Sequence, residues 1–204
     1  DHISEVVKRL SKSYSNVVND IGNHDLNKLS KTEKHVRKLN NEVNELRDDV
    51  LYFIISLDET SVKASRFYIL ILGYLQDVTQ SVEYISTTCY RHVQNNHKPL
   101  KKSQKNDLQL IDNELKALFD IIERDFLERS FINLESVLEA KQKLFNHVSE
   151  SLDKQIARIR TEESSPKNST LYFGILLETK DLISALMNLL QLYEEFRVEE
   201  ANNQ

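Results

Sequence analysis

The chain has 204 residues, 27 basic and 32 acidic side chains and a net charge of −5, and a pI near 5.7; a nucleic-acid binder calls for a basic surface and a pI above roughly 9. One cysteine, Cys89, excludes an internal disulfide and a thiolate zinc site and fits a reducing compartment. No apolar run approaches the ~20 residues that cross a bilayer, and no signal peptide opens the chain.

Only three glycines and two prolines interrupt a sequence with 29% charged residues and a mean hydropathy of −0.48. So few turn-formers point to long helices joined by short connections. No window alternates apolar and polar residues as a strand does, so the predicted fold class is all-α.

Helix one is predicted over Ile3–Ile21, ending near Gly22-Asn23-His24-Asp25. Helix two runs from Leu29 to Leu57, with Val36, Leu39, Val43, Leu46, Val50 and Phe53 or Ile54 at helical spacing. The cap-forming stretch Asp58-Glu59-Thr60-Ser61 precedes helix three, Val62–Val93, and Asn95-Asn96-His97-Lys98-Pro99 closes the first half. Helix four spans Lys105–Glu128 and helix five Phe131–Arg160. Helix six begins at Ser165-Pro166, with Ser165 as N-cap and proline at the first helical position, and runs to Glu199.

The second half repeats the first. SVKASRFYILILGYLQD, from Ser61, and SPKNSTLYFGILLETKD, from Ser165, share Ser, Lys, Ser, Tyr, Ile, Leu and a closing Asp at one constant offset. Leu39, Asn41, Val43, Glu45 and Asp48 recur as Leu144, Asn146, Val148, Glu150 and Asp153, one residue out of step. The expected architecture is six helices in two tandem up-and-down three-helix bundles, residues 1–99 and 100–204, of the spectrin-repeat kind.

Each repeat opens its third helix with Ser-x-Lys, at Ser61/Lys63 and Ser165/Lys167. A helix N-terminus with a serine and a lysine can hold a phosphate-like anion, and can equally be a plain cap beside exposed lysines. No glycine-rich loop accompanies either. The repeated Asp77 and Asp181, with Glu178 one turn before the latter, border apolar stripes, where a carboxylate needs an ion pair, a hydrogen bond or a metal. A di-iron bundle needs Glu-x-x-His, and none of the six histidines has glutamate three positions before it. His92 and His97, five apart, do not share a helix face, and Cys89 has no evident base-orienting partner, so no catalytic set emerges. The run HKPLKKSQK, from His97 to Lys105, reads as a solvated linker, or as a contact for anionic lipid headgroups.

The duplicated three-helix plan, with an acid late in the third helix of each copy, resembles the PhoU family. There the third helix carries Glu-x-x-x-Asp, commonly within DLERIGD, and the paired motifs can hold metal clusters. More narrowly, EKHVRKLNNEVNELRDDV, ASRFYILILGYLQDV, NNHKPL, KQIARIRTEESSPKN and LLETKDL look like the PhoU-like tail of bacterial sodium/phosphate cotransporters. The resemblance implies a non-enzymatic regulatory domain on the cytoplasmic side of the inner membrane. Its implied partners are the transmembrane transporter domain of the same chain, a signalling protein and the membrane surface. The chain begins at Asp1 without Met, as expected of a piece of such a protein. The alternative is a metal-binding adaptor of an ABC-type phosphate importer, with Asp77, Asp181 and Glu178 holding iron or zinc. The second acid of the family motif falls here on Ser81 and Ala185; nearby acids are Glu83, and Glu33 in helix two.

Overall fold

The computed structural model describes residues 2–55, 62–128, 134–161 and 163–202, except the side chains of 53 and 200. These residues form six helices and no strand: α1 (His2–Gly22), α2 (Leu26–Ile55), α3 (Val62–Gln94), α4 (Lys102–Glu128), α5 (Leu134–Arg160) and α6 (Pro166–Asn202). The expected all-α class with six helices is what the structure has. The connection 56–61 and the start of helix five at Phe131 lie outside the described residues.

The helix starts are set by caps. Ser165 Oγ accepts from Asn168 N at 3.2 Å, with Pro166 at the first position, as its sequence anticipates. Helices α2 and α4 each begin three residues earlier than periodicity predicts, because a polar residue ahead of the apolar stripe does the capping. Asp25 Oδ1 accepts from Lys28 N at 3.0 Å, and Gln104 Oε1 accepts from Lys101 N at 2.9 Å, the backward half of a capping box. At their C-termini α1 and α3 end alike. His24 (φ 53°) and Asn96 (φ 59°) adopt the left-handed conformation. Asp25 N then reaches Asp20 O at 2.9 Å and His97 N reaches His92 O at 3.2 Å. Both are Schellman endings built without glycine.

Helices α1, α3, α6 and α4 form a closed ring, each packing on the next, while α2 lies against α1 and α3 and α5 against α4 and α6. Apolar residues of both halves make one core, including Leu10, Leu39, Leu75, Val82, Leu115, Leu144, Leu176 and Leu189. Each fully buried leucine contributes about 2 kcal/mol of transfer free energy. Across this core Tyr14 of α1 shares a 2.8 Å hydrogen bond with Thr179 of α6, and Thr179 also donates to Ile175 O at 2.7 Å. The two hydroxyls thereby satisfy each other without water.

Helices α3 and α6 run antiparallel along their length. Phe67 stacks on Phe196 at 4.0 Å between ring centroids, Ser81 meets Glu178, and Asn168 Nδ2 donates to Pro99 O at 2.9 Å. Repeat-equivalent residues therefore approach one another at the middle of this seam, and those residues are Asp77 and Asp181.

Candidate functional site

On its outer side the α3–α6 seam opens into a groove of about 310 Å³ lined by Asp77, Gln80, Ser81, Glu178, Asp181, Ser184, Ala185 and Asn188. The three carboxylates singled out from sequence are thus brought to one place, two helical turns of each repeat facing each other. Their environment differs from the expected one. Asp77 and Asp181 are exposed and Glu178 half-buried, so the first two are neither core-bordering charges nor buried anchors. Both line the open groove on the outer side of the seam. Ser81 Oγ donates to Glu178 Oε1 at 2.9 Å, so the residue standing at the second-acid position of the first repeat ties down a carboxylate of the second.

Ser81 and Ala185 add no carboxylate to these three. Glu33 is buried and paired with Arg37, and Glu83 accepts from Asn40 Nδ2 at 2.7 Å. Among the described residues no three His, Cys, Asp or Glu side chains converge as a metal ion requires.

Lys63 and Lys167, of the two Ser-x-Lys motifs, fall at opposite ends of the molecule, because α3 and α6 are antiparallel. Ser165 is occupied as a cap, Lys167 and Lys63 are exposed, and Ser61 lies outside the described residues. The described residues of the two motifs are not brought together.

Three histidines gather where sequence spacing gave no reason to expect it. The left-handed Asn96 folds the chain back, setting the His97 ring 5.2 Å from that of His92, with His24 of the α1–α2 turn 6.4 Å from His92 on the other side. His92 Nε2–H donates to Lys98 O at 2.8 Å. Burial first, and the neighbouring imidazoles after it, hold the His92 pKa below its ordinary value. The 97–105 run is accordingly no free linker: Leu100 and Gln104 are buried and Pro99 O is bonded to α6. Cys89 is fully buried, and burial pushes its thiol far up, away from nucleophilic use.

At the opposite end Asp125 of α4 is 2% exposed. Neither carboxylate oxygen has a hydrogen-bond partner among the described residues, and Arg197 Nη1 lies 3.8 Å away. Burial and then the Glu194 carboxylate raise its pKa to about 7, against the opposing pull of Arg197.

The ends of the two repeats also differ. Where α5 meets α6, Gln155, Arg158 and Asp107 interlock: Gln104 Nε2 donates to Gln155 Oε1 at 3.0 Å, Arg158 Nη2 to Asp107 Oδ2 at 3.0 Å, and Tyr172 OH to Asp107 Oδ2 at 3.1 Å. The equivalent end of the first repeat, where α2 leads to α3, instead exposes Leu51, Tyr52, Ile55, Val62, Tyr68 and Ile69. Tyr68, the repeat counterpart of the fully buried Tyr172, is 45% exposed. No helix among the described residues is long and apolar enough to cross a membrane.

No protein-family model matches the chain, and no curated protein sequence does. Among solved structures the chain is similar to PhoU from Pseudomonas aeruginosa, with a TM-score of 0.78 over 98% of this chain and 94% of that one, at 9% identity. The fold is therefore PhoU-like.

Two outcomes follow from this geometry. Purified chain offered iron or zinc and then desalted is expected to retain less than one metal per chain, unchanged by Asp77→Ala with Asp181→Ala; stoichiometric retention lost in that variant contradicts the reading. Asp125 binds a proton in the folded state between its ordinary 3.8 and about 7, so folding stability falls as pH rises through that window. Asp125→Asn is expected to remove that fall and to raise the urea midpoint above about pH 7; an unchanged pH profile contradicts it.

Proposed function

We propose that this chain is a non-catalytic regulatory domain of phosphate transport, acting as the cytoplasmic portion of a sodium-dependent phosphate cotransporter. The observation that carries the reading is the likeness in fold to PhoU over nearly the whole of both chains. The finer assignment is supported by the stretches EKHVRKLNNEVNELRDDV and ASRFYILILGYLQDV, which resemble the tails of such cotransporters. The absence of a convergent metal-ligand set among the described residues weighs for this reading over a metal-loaded importer adaptor.

The apolar end formed by Tyr52, Ile55, Val62 and Ile69 supplies the surface such a domain needs. Large apolar side chains exposed toward one end of the bundle fit a docking surface. On this reading the transporter part of the protein, on the cytoplasmic side of the inner membrane, rests against that end. Docking biases transport by binding one transporter state more tightly than another.

The test is sodium-dependent uptake of labelled phosphate by cells expressing the whole gene product. Tyr52→Ser with Ile55→Asp is expected to leave uptake present but no longer adjusted to phosphate supply. A gene product with no sodium-dependent uptake, or a coding sequence ahead of Asp1 with no apolar spans, contradicts the assignment.

A further inference from the structure

The connection from α3 to α4, residues 95–101, joins the two repeats and is tied down by side chains. His92 Nε2–H donates to Lys98 O at 2.8 Å, Asn168 Nδ2 of α6 donates to Pro99 O at 2.9 Å, and Lys101 N donates to Gln104 Oε1 at 2.9 Å. Leu100 between them is buried. Asn168 and Gln104 are neutral amides, so of these ties only His92 can change charge. Its ring is 5% exposed and lies beside two more imidazoles. His97, from the connection itself, is 5.2 Å away, and His24, from the α1–α2 turn, is 6.4 Å away. His24 Nδ1 is buried with no hydrogen-bond partner among the described residues, so a proton placed there finds no acceptor.

The charges around the cluster oppose a proton on it. Among the described residues those that act on His92 are the His97 and His24 rings, with no carboxylate beside them. Of the acids where α1 ends, Asp20 accepts from Asn19 Nδ2 at 3.3 Å and Asp25 caps α2. The other helices packed on α3 are α2 and α6, which bring Lys28 and Lys167 to this end. Arg91 stands in the last turn of α3, and the connection adds Lys98 and Lys101; all five are exposed. Protonation therefore sets like charges side by side in a dry site only while the connection is closed. Once it lifts away, the His92 ring is solvated and takes its proton near 6.5. The closed form is thus fully favoured above about 6.5 and loses ground as pH falls below it. We propose that His24, His92 and His97 form an acid-released latch on the connection between the repeats, closed while the imidazoles are neutral and opened by their protonation. The latch acts within the chain and is independent of the phosphate-transport reading.

Amide hydrogen exchange of the whole chain tests it, followed by NMR at His97 N and Lys101 N, which are bonded to His92 O at 3.2 Å and to Gln104 Oε1 at 2.9 Å. One proton taken up on opening shifts the opening equilibrium by up to about tenfold per pH unit. After correction for the intrinsic effect of pH, protection of these two amides is expected to fall at least about fivefold between about pH 7.5 and about pH 5.5. Amides of the core, such as Val82 and Leu186, are expected to keep theirs. His92→Gln retains an N–H for Lys98 O without the charge and is expected to remove most of the fall, with helical circular dichroism as the check on its folding. In His24→Gln with His97→Gln the two like charges are gone, so the ring midpoint of His92 is expected to rise and the fall to become shallower; should His92→Gln lose helicity, this pair decides. Protection that is equal at both pH values, an undiminished fall in His92→Gln, an unmoved His92 midpoint in the double variant, or a His92 ring that titrates at or above 6.5 in the unaltered chain each overturns the proposal.

Discussion

The antiparallel seam between α3 and α6 is the constraint on which the rest of the molecule turns. Two amphipathic three-helix repeats each leave an apolar face that one repeat cannot cover. Facing the third helices of the two repeats head to tail covers both at once. The ring α1–α3–α6–α4 then follows, since α1 and α4 must close the other side of the same core. Burial of Leu75, Val82, Leu176 and Leu189 in one cluster is the dominant favourable contribution, and the Tyr14–Thr179 hydrogen bond fixes the register of α1 against α6 within it.

The same geometry dictates where chemistry can occur. An antiparallel pairing of equivalent helices brings equivalent residues together only at its midpoint, and there the chain places Asp77 and Asp181 with Glu178 and Ser81. Ser81 and Ala185 stand beside these carboxylates, Asp77 and Asp181 face solvent, and Glu178 is half-buried and held by Ser81. The result is a polar groove in which, among the described residues, no three metal-ligating side chains converge. The divergence of the repeat ends has a parallel logic. One end is closed by buried, mutually satisfied polar groups around Asp107 and Gln155. The other exposes apolar side chains whose burial a partner can complete.

Much of this architecture was legible in the sequence because it depends on short-range signals. Period, breaker scarcity and the Ser165-Pro166 start gave six helices, and the internal repeat gave their equivalence. Helix boundaries failed where a polar side chain caps a helix ahead of its apolar stripe, as Asp25 and Gln104 do. The repeat also identified Asp77 and Asp181 as residues worth pairing, with Glu178 one turn before the latter. It could not give their exposure, which depends on how the two helices cross. The meeting of His24, His92 and His97 was illegible for a different reason. It needs a left-handed Asn96 to reverse the chain, and helical spacing holds no information past the last turn of α3.

If one core shared by the two repeats holds this fold together, neither repeat is stable without the other. The most direct measurement is circular dichroism and urea unfolding of residues 1–99 alone beside the whole chain. The shared core predicts a single cooperative transition for the whole chain and, for the fragment, lost helicity or self-association through its uncovered α1 and α3 faces. A monomeric 1–99 fragment with native helix content and its own cooperative transition would contradict it.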